Sequence, residues 1–125
     1  MTPMPREISR IARTESLFRD VNERIAETAE RFGADDAEFV CECANAGCGE
    51  RLGASLDEYE QVRADGVRFL VAPGHEEPQY EQVIARRADY QVIAKSKDGR
   101  LAEAARELDP RSDDHSGPDQ ANEMK

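Results

Sequence analysis

Residues 6–32 contain neither Pro nor Gly, and their apolar side chains recur at helical spacing. Ile11, Phe18, Ile25 and Phe32 fall seven residues apart, and Val21 adds a second row among Arg, Glu and Asp. This pattern predicts one long helix with a narrow apolar stripe, stopped at Gly33. The first reading packs the stripe on the protein's own sheet. The second makes Phe18, Val21 and Ile25 a docking or self-association surface, which a length of under four heptads supports less well.

Beyond Gly33 the period changes. "AEFVCEC" (37–43) predicts a short strand that enters a loop, "ANAGCGERLG", whose Gly, Ala and Asn suit a tight knuckle. Ser55 and Glu58 fit a capping box. Leu52, Leu56, Tyr59 and Val62 then line one face of a short helix ending at Gly66. "GVRFLVAPG" is the clearest strand: Val67, Phe69 and Val71 alternate with Leu70 and Ala72, and Pro73-Gly74 ends it. "YEQVIARRADYQVIAKS" predicts a hairpin turning near Arg87 to Asp89, with one long helix as the competing reading. Leu101, Ala104, Ala105 and Leu108 predict a last short helix, closed by Pro110.

The expected fold is α+β: a small antiparallel sheet with a zinc knuckle, a long N-terminal helix and short helices. Residues 1–110 form one domain, and 111–125, which lack apolar periodicity, a disordered acidic tail. A length of 125 residues with 38% hydrophobic content allows one modest core, which a metal cross-link would reinforce.

The formal net charge of -10 disfavours nucleic acid, whose phosphates are gripped by Lys and Arg, and anionic membranes. No apolar run reaches the ~20 residues of a membrane span, and "MTPMPREISR" is not followed by a signal-like apolar region. The expected location is the cytoplasm, where clustered thiols more often bind metal or do redox work than form disulfides.

All three cysteines, Cys41, Cys43 and Cys48, lie in one C-x-C-x4-C cluster. Structural zinc takes four ligands, commonly four Cys, three Cys with one His, or two of each. In extended chain, Cys41 and Cys43 project to one face, and the Gly-containing loop can return Cys48. The fourth ligand must come from the two histidines, His75 and His115. His115 falls in the expected tail. His75, in "VAPGHEE", follows a strand that would reach the cluster by pairing with the cysteine strand. The expected Zn2+ site is therefore Cys41, Cys43, Cys48 and His75, closed and structural.

Two other chemistries compete with this site. An open zinc site could use Glu76 or Glu77 as a base, but "HEE" matches neither H-E-x-x-H nor the zinc deaminase signature. Thiol switching would pair Cys48 with Cys41 or Cys43, and oxidation could expel the ion.

"ESLFRDVNERIAE", "FVCECANAGCGERL", "EYEQVR", "RFLVAPGHE" and "DYQVIAK" together resemble a family of small uncharacterised bacterial proteins, chiefly actinobacterial. The resemblance covers roughly residues 15 to 110. Its motifs are an F-R-x-V-N-E-R-I helix, the C-x-C with a later Cys, and P-G-H-E after a strand. They fall here on Phe18 to Ile25, on Cys41, Cys43 and Cys48, and on Pro73 to Glu76. The resemblance implies that the Cys/His set belongs together, and it implies no activity. The expected function is a structural-zinc interaction or regulatory module rather than an enzyme, with a protein partner or self-association through the N-terminal helix. A zinc-dependent hydrolase or deaminase and a thiol/zinc redox sensor are the alternatives.

Overall fold

The computed structural model describes residues 6–96, 99–109 and 111. Helix α1 (Arg6–Arg31) leads into a hairpin of β1 (Asp36–Val40) and β2 (Arg51–Ser55), then helix α2 (Leu56–Arg63). Strands β3 (Arg68–Val71), β4 (Glu81–Arg86) and β5 (Gln91–Lys95) follow, then helix α3 (Arg100–Leu108). The expected α+β class, long first helix and short helices are all present.

The strands form two small antiparallel sheets. β1 pairs with β2 from Asp36↔Ser55 to Val40↔Arg51. The second sheet has the order β3-β5-β4. The β4–β5 hairpin turns where expected, with Arg87 N–H donating to the Tyr90 carbonyl at 2.8 Å. α2 begins on the expected capping box: Ser55 Oγ accepts from Glu58 N–H, and the Glu58 carboxylate accepts from Ser55 N–H.

Three expectations need correction. β1 stops at Val40 rather than running through Cys43, and Arg51–Ser55 is a strand rather than loop and helix face. The cysteines therefore sit on the connection between β1 and β2, residues 41–50. Also, β1 pairs with β2 and not with β3. The link to β3 is made just past β1, where Glu42 N–H donates to the Leu70 carbonyl at 2.7 Å.

The main core is built from Phe39, Leu52, Tyr59, Val62, Phe69, Leu70, Val71 and Ile93. Phe39 and Tyr59 stack with ring centroids 4.5 Å apart. All of Phe69, Leu70 and Val71 are buried, so β3 has two covered faces.

α1 buries a different face from the one expected. Its buried residues are Ile11, Ala12, Glu15, Arg19, Asn22 and Ala26. Phe18 and Ile25 are half-buried, and Phe32 is 80% exposed. A strict seven-residue repeat drifts by ~20° per heptad on a straight helix. Over the three heptads from Ile11 to Phe32 it winds off the contact face. The row that faces the protein instead carries polar side chains, each with a partner waiting. Asn22 acts as a peptide mimic at the β1 edge: Nδ2–H donates to the Val40 carbonyl (2.9 Å) and Oδ1 accepts from Val40 N–H (2.8 Å). Arg19 donates to the carbonyls of Gly66, Arg68 and Ala105 and lies 3.9 Å above the Phe69 ring centre.

Glu15 shares the Lys95 ammonium with Glu81, at 2.8 and 2.5 Å. Burial pushes the Glu15 carboxyl up to about 7, against the pull of Lys95. Folding thus favours its protonated form. Its contribution to stability is largest below the unfolded value of about 4.3 and is lost as pH rises towards 7. The expected result is that Glu15→Gln gains on the wild type between pH 5 and 8, by up to about 3 kcal/mol. Urea unfolding at the two pH values measures this, and parallel pH profiles for both proteins would exclude it.

Arg111 is held by both Glu23 and Glu60, with four contacts between 2.8 and 3.1 Å. The first residue of the expected tail is thus anchored between α1 and α2. Residues 112–125, His115 among them, lie outside the described residues.

Candidate metal centre

The 41–50 connection folds as a tight knuckle. Asn45 Oδ1 accepts from Gly47 N–H (2.9 Å) and its carbonyl accepts from Cys48 N–H (3.0 Å). Gly49 has φ +66°, the left-handed region that favours glycine, and it turns the chain back into β2. Cys41 N–H donates to the Glu50 carbonyl at 2.9 Å and closes the base of the loop. Cys41 and Cys48 are thereby brought side by side.

The opposite wall is the end of β3. His75 N–H donates to the Ala72 carbonyl at 3.0 Å, with Pro73 and Gly74 between them. Pro followed by Gly at φ +88° meets the demands of a type II turn. The turn lifts the imidazole over the knuckle. Ala72 N–H donates to Cys41 Sγ at 3.1 Å.

The four expected residues converge. Their ligand atoms, one from each of Cys41, Cys43, Cys48 and His75, all lie within 4.8 Å of one another. His75 Nδ1 is 3.6 Å from Cys41 Sγ and 3.5 Å from Cys48 Sγ. A tetrahedral ion with Zn–S near 2.3 Å and Zn–N of 2.0–2.1 Å would hold S and N about 3.6 Å apart. The donor set and its spacing therefore fit a tetrahedral metal ion.

Cys41 and Cys43 are buried, and Cys48 is half-buried. Burial pushes the Cys41 thiol well up, the Ala72 N–H partly offsets this, and the neighbouring thiols add to the rise. Burial likewise raises the Cys43 thiol. Three crowded thiolates are thus unfavourable without a compensating cation, and a bound divalent ion would reverse that balance.

Three neighbours of the site escaped sequence reasoning. Glu50 Oε2 lies 3.2 Å from His75 Nε2. Glu42, between two of the cysteines, is fully buried and points away from them. Its carboxylate accepts from Asn22 Nδ2–H (2.7 Å) and from Leu70 N–H (3.0 Å). The third is the Ala72 N–H. A carboxylate inside a cysteine loop is a usable signal, but which of Glu42, Glu50, Glu76 and Glu77 meets the histidine depends on the fold. The Glu77 backbone N–H donates to the Glu81 carboxylate at 2.9 Å.

The other surface expected to act, Phe18, Val21 and Ile25, is divided. Val21 and Ile25 border a shallow groove with Arg24, Thr28, Ala29 and Ala37, whereas Phe18 lies outside it. Among the described residues, no helix is long and apolar enough to cross a membrane. No protein-family model, curated protein or solved structure matches the chain.

Proposed function

We propose that the protein is a zinc-binding module whose ion ties the β1–β2 knuckle to the end of β3. The convergence of three thiols and one imidazole nitrogen within 4.8 Å carries this reading. Zinc is the ion that best suits a Cys3His tetrahedron. A closed set of four protein ligands leaves no position for substrate, so the ion's role is structural. The carboxylate nearest the imidazole is Glu50 rather than Glu76 or Glu77, which removes support for a metal-activated base next to the expected "HEE" pair. The resemblance to small actinobacterial proteins is compatible with the same ligand set.

The held surfaces then carry the biology, in an interaction or regulatory role. The Val21–Ile25 side of α1, with half-buried Phe18 on the same helix, is our candidate for a neutral or basic protein partner or self-association. Cys48 is the one half-buried thiol of the three, which favours oxidant-driven metal release as a second reading.

The purified protein is expected to contain about one zinc per chain. Cobalt substitution should give the intense visible absorption of a tetrahedral thiolate-rich site. A five- or six-coordinate cobalt spectrum would reopen the catalytic alternative, and absence of metal uptake would end the proposal.

A further inference from the structure

The imidazole of His75 can ligate through only one nitrogen, and the geometry selects Nδ1. That atom is the one 3.5 and 3.6 Å from two of the sulfurs. A neutral imidazole that ligates through Nδ1 must carry its proton on Nε2. Glu50 Oε2 stands 3.2 Å from that second nitrogen. Glu50 also belongs to the knuckle itself, and its carbonyl accepts from Cys41 N–H at 2.9 Å. One residue therefore steadies the first ligand through its backbone and faces the fourth ligand with its carboxylate.

We infer that Glu50 is the positioning residue of the metal centre, holding the His75 ring so that Nδ1 faces the sulfurs and Nε2 keeps the proton. This inference rests on the metal-site reading. Its physical basis is general. A carboxylate that accepts the remote N–H of a metal-bound imidazole fixes the tautomer and ring orientation, and raises the basicity of the ligating nitrogen. The Glu50 side chain is 56% exposed, so replacing it empties no core space.

The test competes Zn2+ against a chromophoric chelator on the full chain, for wild type, Glu50→Gln and Glu50→Ala. Removing such a partner typically weakens metal binding by about 10- to 100-fold, and that is the loss expected for Glu50→Ala. Glu50→Gln keeps an oxygen that can accept the N–H, and is expected to recover part of the loss. Imidazole 15N shifts of the zinc-loaded proteins supply the second readout. The wild type and Glu50→Gln should show a metal-bound Nδ1 with a protonated Nε2, and Glu50→Ala a faster-exchanging Nε2 proton. A general loss of structure would move neither the tautomer nor its exchange selectively. Zinc bound by Glu50→Ala as tightly as by wild type, with unchanged 15N signals, would overturn this inference alone. No zinc uptake by the wild type would overturn the metal-site reading and this inference with it.

Discussion

Stripping zinc from the loaded protein is expected to lower its melting temperature by about 12–20 °C. At free zinc a thousandfold above Kd, binding to the native state alone adds about 4 kcal/mol. For a chain of this length each kcal/mol moves the midpoint by roughly 3–5 °C. The effect arises because the ion closes a ring of contacts: Cys41, Cys43 and Cys48 come from the β1–β2 connection, and His75 from the end of β3. The apo protein should still melt cooperatively, since the core cluster that takes in Cys41 and Cys43 is filled mainly by residues that are not candidate ligands, among them Phe39, Tyr59, Leu70 and Ile93. Cys48→Ser should remove most of the zinc dependence while leaving that apo transition in place. Scanning calorimetry with and without chelator measures both. Coincident curves for a protein shown to have carried the metal would rule out a structural role for the ion.

The second large effect is expected at Arg19. Its guanidinium is fully buried and bonds carbonyls just before β3, at its first residue and on α3: Gly66, Arg68 and Ala105. It also covers the Phe69 ring. Arg19→Met should cost about 3–5 kcal/mol, because three carbonyls lose their donor and Glu42 and Asp109 lose a nearby cation. Arg19→Lys should recover little of this, since one ammonium cannot reproduce the planar fork. Urea unfolding at pH 7 distinguishes the cases. A Lys variant within about 1 kcal/mol of wild type would show that charge, rather than the fork, is what the position requires.

The convergence of the candidate metal ligands was legible in the sequence because their chemistry is local and rare. Three thiols within eight positions need a fourth donor, and only two histidines exist. The β4–β5 hairpin and the Ser55 cap were legible too, because each is specified by neighbours in sequence; the α3 face was legible at Leu101, Ala104 and Ala105, whereas Leu108 is 43% exposed and Ala102 is buried in its place. β2 was not. Arg51–Ser55 reads "RLGAS", with a central Gly and few β-favouring side chains, and it becomes a strand by pairing with β1. The burial of α1 was misjudged for a related reason. Glu15, Arg19 and Asn22 look like solvated residues until Lys95, Gly66 and Val40 are placed opposite them. Those partners lie 18 to 80 residues away. Only folding brings them together.

Glu42 joins these two parts of the molecule. It sits between the candidate ligands Cys41 and Cys43, and its carboxylate accepts from Asn22 Nδ2–H on α1. Asn22 in turn holds the β1 edge at Val40. The knuckle and the helix therefore share a hydrogen-bonded connection through Asn22, and any coupling across it would be reciprocal. A ligand on the outer face of α1 whose binding displaced Asn22, and with it Glu42, would change the affinity for an ion at the site by some factor. Loading the ion would then change the affinity for that ligand by the same factor. The site and the helix surface would then be two ends of one equilibrium, so titrating either one would report on the other.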